Sequence, residues 1–468
     1  LTLKAIVLID GEHYIPVTKS ALERLKTESD YSLVGAAFLG SAGKIGGVRN
    51  LTKLEIPVVA QEGDMRDESS LFSCVQNAIA KFSPDVVIDL SGEPVLSFQI
   101  RMRLANLILS SGISYRGADF LFEPGKLADI AERPAISIVA LGKRAGKTSL
   151  SICAAKILSE RYRPVIITMG RGGPQTPELI EGDKIKITPE FLLSQVDLGR
   201  HASGDNYEDA LFARIPVVGC SRVGSGLAGA VFYSTVFEGA ALANSLDRDL
   251  QIYEGSGTTS PGVLTDAQIV VVAAHQPPDL SSSAFHTLRI KKTDLIVLTG
   301  CETPPSSPAA IESLEATLRE VNPEVRLLRT IFRPQPLGEI RGKRVIYATT
   351  APQSVLPVLT RYIEDSYSCN VIGVLLSLTN SELLSSELEA LFSSDFAPEL
   401  LLTELKAASV DVAVRLALSR GLDIAFCHNA IQDAEDSEGV FNDEILRVAE
   451  MALKRFKVRR PESSKTRC

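Results

Sequence analysis

Residues 142–148 read Gly-Lys-Arg-Ala-Gly-Lys-Thr and stand between an apolar run, ISIVAL (136–141), and a stretch of helical character. Consecutive backbone N–H groups at a helix N-terminus curl around an oxyanion. Glycines permit the curl, a lysine adds a mobile point charge, and a Thr or Ser hydroxyl reaches a divalent cation. Gly142, Lys143, Arg144, Ala145, Gly146, Lys147, Thr148 and Ser149 are therefore expected to hold the phosphates of a nucleotide. The run departs from G-x-x-x-x-G-K-[ST] at one place. Leu141 stands at the first glycine position, and Gly142 is expected to take over the turn.

Four more stretches carry chemistry. Glu254-Gly255-Ser256-Gly257 follows the strand-like QIY. A carboxylate at a strand end across from a phosphate loop holds Mg²⁺ or its waters, so Glu254 and Thr148 are candidate metal ligands. Gly170-Arg171-Gly172-Gly173 and 220–226 (CSRVGSG) each set an arginine among flexible N–H donors after a strand. Arginine suits bidentate phosphate contact. The plain alternative for each loop is a tight strand-to-helix turn. Both together favour a substrate with more than one phosphate, gripped by Arg171 and Arg222. In 199–209 (GRHASGDNYED), Asp205 is a candidate metal ligand or base, or else belongs to an exposed helix cap.

The rest of the chain must position these loops. Short apolar runs rich in Val and Ile recur from end to end: 4–9, 34–40, 85–90, 136–141, 164–170, 215–220, 267–274, 294–300, 344–350, 370–378 and 423–430. Helical stretches separate them. The pattern predicts an α/β, multi-domain protein with parallel sheets flanked by helices: a central P-loop NTPase-type domain and a Rossmann-like N-terminal domain. Seams at 123–134 and 333–343 divide the chain into 1–134, 135–336 and 337–468. Ligands on such sheets bind beyond the carboxyl ends of the strands. Asp10-Gly11-Glu12-His13, Gly40 and Asp89-Leu90-Ser91-Gly92 occupy such positions in the first block, with His13 read as a structural hydrogen bonder.

Bulk properties narrow the classes. The 468 residues carry a net charge of −8, which argues against nucleic acid as a partner. The basic run 454–467 (KRFKVRRPESSKTR) is read as a solvated tail after the last helix. No apolar run approaches the roughly 20 residues that span a bilayer, so no membrane partner is expected and the cytoplasm is the expected compartment. The seven cysteines are too scattered for a CxxC site. Cys153 and Cys369 are expected in or near a core, and Cys301 and Cys427 at strand ends.

LIDGEHY (8–14), GISYRGADF (112–120), GKRAGKT (142–148), GRGGP (170–174), 199–211 (GRHASGDNYEDAL) and EGSG (254–257) together resemble the cyclic 2,3-diphosphoglycerate synthetase family over nearly the whole chain. The phosphate loop and EGSG also look like the wider dethiobiotin synthetase-like class. The resemblance implies a small-molecule substrate, 2,3-diphosphoglycerate, converted with ATP and Mg²⁺ to its cyclic form, ADP and phosphate, in compatible-solute biosynthesis. It implies that Lys147 and the 142–148 amides hold the ATP phosphates. Thr148 and Glu254 would hold Mg²⁺, with Asp205 as a third ligand. Arg171 and Arg222, aided by Lys143 and Arg144, would grip the substrate. A homodimer is the expected assembly. Removing the Lys147 side chain is expected to abolish turnover without unfolding the protein. Two other readings stay open: an ATP-dependent ligase acting on a carboxylate, and a P-loop switch or metallochaperone. The run DLIVLTGCE (294–302) lacks the [NT]KxD of guanine readers, which favours ATP.

Overall fold

A computed structural model describes residues 2–28, 30–40, 48–60, 68–276, 285–393, 397–434 and 439–461. The chain divides into two compact units, 1–126 with 283–291, and 127–282 with 292–468.

The first unit is built on β1 (Leu3–Ile9), β2 (Tyr31–Phe38), β3 (Val58–Ala60), β4 (Val86–Asp89), β5 (Ser114–Arg116) and β6 (Leu121–Phe122). Their order is β3-β2-β1-β4-β5-β6, parallel except for the last pair. The helices are α1 (Ile15–Glu28), α2 (Glu68–Phe82) and α3 (Phe98–Ser110). Alternate residues of β1 feed two cores. Ile6 and Leu8 pack with Leu71 of α2 and Leu104 of α3, while Ala5, Val7 and Ile9 pack with Leu22 of α1. Burial on both faces is why the strand reads as an unbroken apolar run. Strand order reverses between β1 and β4, so the loops after them diverge and open a crevice.

The second unit holds a sheet of twelve strands. In chain order its strands are β7 (Ala135–Ala140), β8 (Pro164–Ile167), β9 (Glu178–Glu181), β10 (Pro216–Gly219), β13 (Leu250–Glu254), β14 (Ala267–Ala273), β15 (Leu295–Thr299), β16 (Arg326–Leu337), β17 (Arg344–Ala348), β18 (Asn370–Leu375), β19 (Leu400–Glu404) and β20 (Asp423–Asp433). β11 (Arg222–Val223) and β12 (Tyr233–Ser234) pair apart from it. The order is β18-β17-β19-β20-β16-β15-β14-β7-β13-β8-β10-β9. From β16 to β10 the pairings are parallel, and edge strand β9 is antiparallel. β17 to β20 are parallel to one another, but β20 runs antiparallel to β16, from Thr330↔Asp433 to Leu337↔Phe426. This reversal turns the carboxyl ends of β17 and β19 toward the carboxyl ends of β7, β14 and β15. The β16–β20 ladder lies between the two facing edges.

Two sequence readings change here. Residues 333–337, read as part of a seam because of their prolines, continue β16. Among the described residues that stretch pairs only with β20 and its other edge has no strand partner, so the N–H that Pro334 and Pro336 lack costs the ladder nothing. The basic run is no free tail over its first part. The helix Val440–Arg459 includes it, Arg459 donates to both Asp266 oxygens at 2.9 and 3.1 Å, and Arg455 donates to Asp294. Residues 462–467 of the run lie outside the described residues. Cys153 and Cys427 are buried, Cys369 is half-buried, and Cys301 is half-buried with its thiol pushed up to about 11 by burial. None of these four lines the cleft described below. Among the described residues no helix is long and apolar enough to cross a membrane.

Candidate active site

β7 ends at Ala140, and the chain turns into α4 (Lys147–Ser159) through the predicted phosphate loop. Leu141 is fully buried and belongs to the core, which explains why no glycine stands there. Gly142 does not make the turn. The left-handed positions are Arg144 (φ 63°) and Gly146 (φ 89°). Gly146 must be glycine for a second reason: a Cβ there would come within 2.3 Å of the Phe332 ring.

Behind the loop lies a group of ionisable side chains. Lys147 is buried, and its Nζ is ion-paired with Glu254 Oε1. Thr148 Oγ1 donates to the same oxygen at 3.0 Å. Glu254 ends β13, the strand beside β7, so the sheet itself brings it under the loop. Burial alone would push the Lys147 ammonium down, but Glu254 and Asp205 outweigh it and hold it above its usual value. Burial pushes the Glu254 carboxyl up, yet Lys147 and the surrounding hydrogen bonds hold it below the usual carboxylate range.

The third contributor is α6 (Asp205–Ala213), which follows α5 (Pro189–Asp197) and a loop of small residues. Asp205 begins α6, where the helix dipole favours a negative charge. Spacings of three and four residues put Glu208 and Asp209 on the same side. Asp209 is fully buried, and among the described residues neither of its oxygens has a hydrogen-bond donor, nor has Glu254 Oε2. Burial and the nearby Glu254 charge raise the Asp209 carboxyl well above its ordinary range. Asp205 is raised by burial against the pull of Lys147.

Of these groups Lys147, Thr148 and Asp205 border a cleft of about 740 Å³. Gly142 to Thr148 and Ser149 line it, as do Arg171 and Asp205. Glu254 lies beneath, touching the loop. The 170–173 and 199–209 loops meet at Gly172, where a side chain would collide with the His201 ring at 2.4 Å. Arg222 departs from expectation. Its side chain is buried, and Nη1 and Nη2 donate to the carbonyls of Gly224 at 2.9 Å and Ser256 at 3.1 Å. It braces the EGSG turn from behind, and Arg171 alone of the two faces the cleft.

Sequence reasoning missed the far wall. Thr350, Lys406 and Asn429 line the cleft from the reversed half of the sheet, and Phe332 joins them from β16. No motif announces them. The available signals were a carboxylate and a lysine just after an apolar strand, LLLTELK (400–406), and the Glu208–Asp209 pair beside Asp205.

In the first unit the strand ends hold a closed network. Asp10 accepts from the backbone N–H groups of Glu12 (2.9 Å) and Gly92 (2.7 Å) and contacts His13 Nδ1. Asp89 accepts from Ser91 N, Arg101 Nε and the Tyr115 hydroxyl. A Cβ at Gly40 would strike the Asp10 carbonyl, so the crevice is close-packed at that point.

The fold and the loop define an α/β protein with a P-loop domain, a class in which nucleotide use is built into the loop. Family models cover almost all of it: the N-terminal domain of cyclic 2,3-diphosphoglycerate synthetase matches residues 4–123, its P-loop domain 135–331 and its C-terminal domain 336–430. Cyclic 2,3-diphosphoglycerate synthetase of Methanothermus fervidus is 42% identical over 460 residues, covering 97% of this chain and 99% of that one. The proteins of the same name from Methanothermobacter thermautotrophicus and Rubrobacter xylanophilus are 41% and 38% identical, over 97% and 91% of this chain and 98% and 94% of theirs. The chain belongs to the cyclic 2,3-diphosphoglycerate synthetase family.

Proposed function

We propose that the chain is an enzyme that uses ATP to close 2,3-diphosphoglycerate into cyclic 2,3-diphosphoglycerate, releasing ADP and phosphate. One observation carries this reading. A phosphate loop, an arginine on a glycine-rich loop and the half-buried Asp205 line a single cleft, which offers cationic groups to more than one polyanion.

The chemistry asks for positioning and charge neutralisation more than for a covalent nucleophile. Two phosphates on neighbouring carbons repel each other, and neither leaves readily. An oxygen of one substrate phosphate attacks the γ-phosphorus of ATP; that bond forms as the bond to the β-phosphate oxygen breaks, and ADP departs. An oxygen of the second substrate phosphate then attacks the activated phosphorus. The new phosphoanhydride closes the ring, and the transferred group leaves as inorganic phosphate.

The residues divide the work as follows. The 142–148 amides and Lys147 hold the ATP β- and γ-phosphates, with Lys143 and Arg144 adding charge. Arg171 grips a substrate phosphate. Arg222 keeps the 254–257 turn in place and adds positive charge from behind it. Thr148, Glu254 and Asp205 are the oxygen donors for Mg²⁺, which when bound neutralises charge on the phosphates. They fit this ion: they are all-oxygen donors, and Glu254 Oε2 has no protein donor. Among the described residues no group of three or more His, Cys, Asp or Glu side chains forms a metal cage. Mg²⁺ held through one or two carboxylates and the phosphates themselves needs none. The reading includes the division at 134 and 336, a homodimer and a cytoplasmic setting.

Phosphorus NMR of a reaction with ATP, Mg²⁺ and 2,3-diphosphoglycerate tests it. A new pair of coupled pyrophosphate-type signals, growing with ADP and free phosphate, is the expected result. Phosphate release that ignores the diphosphoglycerate, with no new pair, overturns it in favour of a nucleotide switch or of a ligase with another substrate.

A further inference from the structure

We infer that Lys406 is a phosphate anchor for the substrate, presented by the reversed half of the sheet across the cleft from the P-loop. The inference rests on the function proposed above and adds a subsite to it.

The geometry begins at Glu404, the last residue of β19 and fully buried. It accepts from Thr349 Oγ1, from the Thr350 N–H and hydroxyl, and from Asn429 Nδ2 at 2.9 Å. These bonds and the nearby Lys406 charge stabilise the Glu404 carboxylate, and the bonds pin the loops after β17 and β19 and the β20 strand to one another. Three residues on, the chain passes through Ala407 at φ 50°, a backbone conformation that side-chain-bearing residues seldom adopt. The turn sets Lys406 on the cleft wall.

Glu208, Glu404 and Asp205 lie close enough to hold the ammonium charged, but its contact with them is loose. Its ion-pair partner is Glu208 Oε1 at 3.5 Å, longer than a good N–H···O bond, and the side chain remains 31% accessible. An ammonium has three donors. Lys406 thus stands opposite Lys147 and Arg171, and an anion between them would be gripped from both edges of the sheet. Lys147 is occupied by Glu254 and sits in the nucleotide loop, so the far-wall cation falls to the second polyanion. A phosphate in this place has two sources, the diphosphoglycerate or the nucleotide, and binding separates them.

The test is calorimetric binding of 2,3-diphosphoglycerate without nucleotide, and of a non-hydrolysable ATP analogue with Mg²⁺, to the full chain and to Lys406→Ala. Losing a charge-assisted contact should weaken diphosphoglycerate binding by about tenfold to a hundredfold, with the ATP analogue bound as before. Lys406→Arg should recover part of the loss, and in turnover the KM for diphosphoglycerate should rise while that for ATP holds. Unchanged diphosphoglycerate binding in Lys406→Ala overturns the inference. So does loss of the ATP analogue instead, which would assign the lysine to the nucleotide. If Lys406→Ala folds poorly, the double variant Lys406→Ala/Glu208→Gln removes both charges of the pair and takes the same measurements. A wild-type protein that binds no diphosphoglycerate contradicts the proposed function itself, a result distinct from a failure of Lys406 alone.

Discussion

The lysine of the phosphate loop, Lys147, and the carboxylate that ends the neighbouring strand, Glu254, are paired inside the protein, and Thr148 donates to the same carboxylate oxygen. A phosphate that takes up the lysine must compete with Glu254. On the function proposed above, Mg²⁺ would supply the carboxylate with a second cation when a nucleotide phosphate draws the lysine away.

That pairing alters what the lysine's removal does. The sequence alone leads one to expect loss of turnover without loss of structure. With Glu254 fully buried, Lys147→Ala also strands a charge, at a cost of about 3–5 kcal/mol. Lys147→Met/Glu254→Gln should regain most of that stability and none of the turnover. Urea unfolding and phosphate release, measured on both proteins, check the pair of outcomes.

Glu254→Gln keeps the shape of the side chain and removes its charge. The Mg²⁺ concentration for half-maximal turnover should rise by about tenfold or more. A Mg²⁺ titration at saturating ATP reads it directly, and an unchanged midpoint removes Glu254 from the metal's surroundings.

Arg171 and Arg222 should fail differently. Arg171 is exposed on the cleft, so Arg171→Ala should raise the KM for diphosphoglycerate and leave the melting temperature alone. Arg222 is buried and holds the Ser256 carbonyl at 3.1 Å. Arg222→Ala should cost about 1–3 kcal/mol of stability through the carbonyls it abandons, and lower kcat as well. Steady-state kinetics with thermal melts separates the two.

Glu208 and His428 should pull the pH dependence of stability in opposite directions, with the raised Asp205 and Asp209 carboxyls on the Glu208 side. Burial raises Glu208 to about 7 against the opposing pull of Lys406, with Asp205, Glu404 and Glu254 adding to the rise. The folded state therefore holds that proton more tightly, and the gain is complete below about pH 4.5 and lost as pH climbs to 7. Burial, then Lys156 and Lys406, lowers His428 to about 3. Its contribution is present above about pH 6.5 and lost as pH falls toward 3. Each slope is at most about 1.4 kcal/mol per pH unit, and between 4.5 and 6.5 they oppose. Glu208→Gln should shift the slope of stability with pH upward across that window, and His428→Gln should shift it downward, each relative to the parent protein. Denaturant midpoints at pH 4.5, 5.5 and 6.5 decide the signs.

Gly146→Ala should damage the loop on two counts, the positive φ and the 2.3 Å approach to Phe332. Adding Phe332→Ala removes only the second. Binding of an ATP analogue should be lost in the single variant and recovered in small part in the double.

Much of this was legible in the residues. Buried parallel strands show themselves as Val- and Ile-rich runs, and the runs at 4–9, 136–141 and 267–274 lie within a residue of β1, β7 and β14. The loop at 142–148 was legible because its spacing serves one purpose. Glu254 was legible because β13 pairs directly with β7. Lys406, Glu404 and Asn429 were not, since a sheet that reverses its direction brings them to the cleft from residues 400–430, and no local pattern records a reversal. β16 was hidden for a related reason: its prolines read as a break, and only the free edge beside them lets the strand continue. Arg222 looked like Arg171 in sequence because a glycine-rich neighbourhood does not say whether a guanidinium faces solvent or backbone.

The β16–β20 ladder is also a ruler. Thr330 lies level with the end of β15, and Pro336 opposite Cys427 lies level with the end of β19. At roughly 3.3 Å per residue, the span from 330 to 336 sets the gap between the two edges at about 20 Å. The gap can change only in steps. Lengthening both strands by two residues would widen it by roughly 7 Å and keep every side chain on its face. Lengthening them by one would roll Phe332 and Asn429 out of the cleft. The size of what fits between the two edges is therefore quantised by the pleat of a single strand pair.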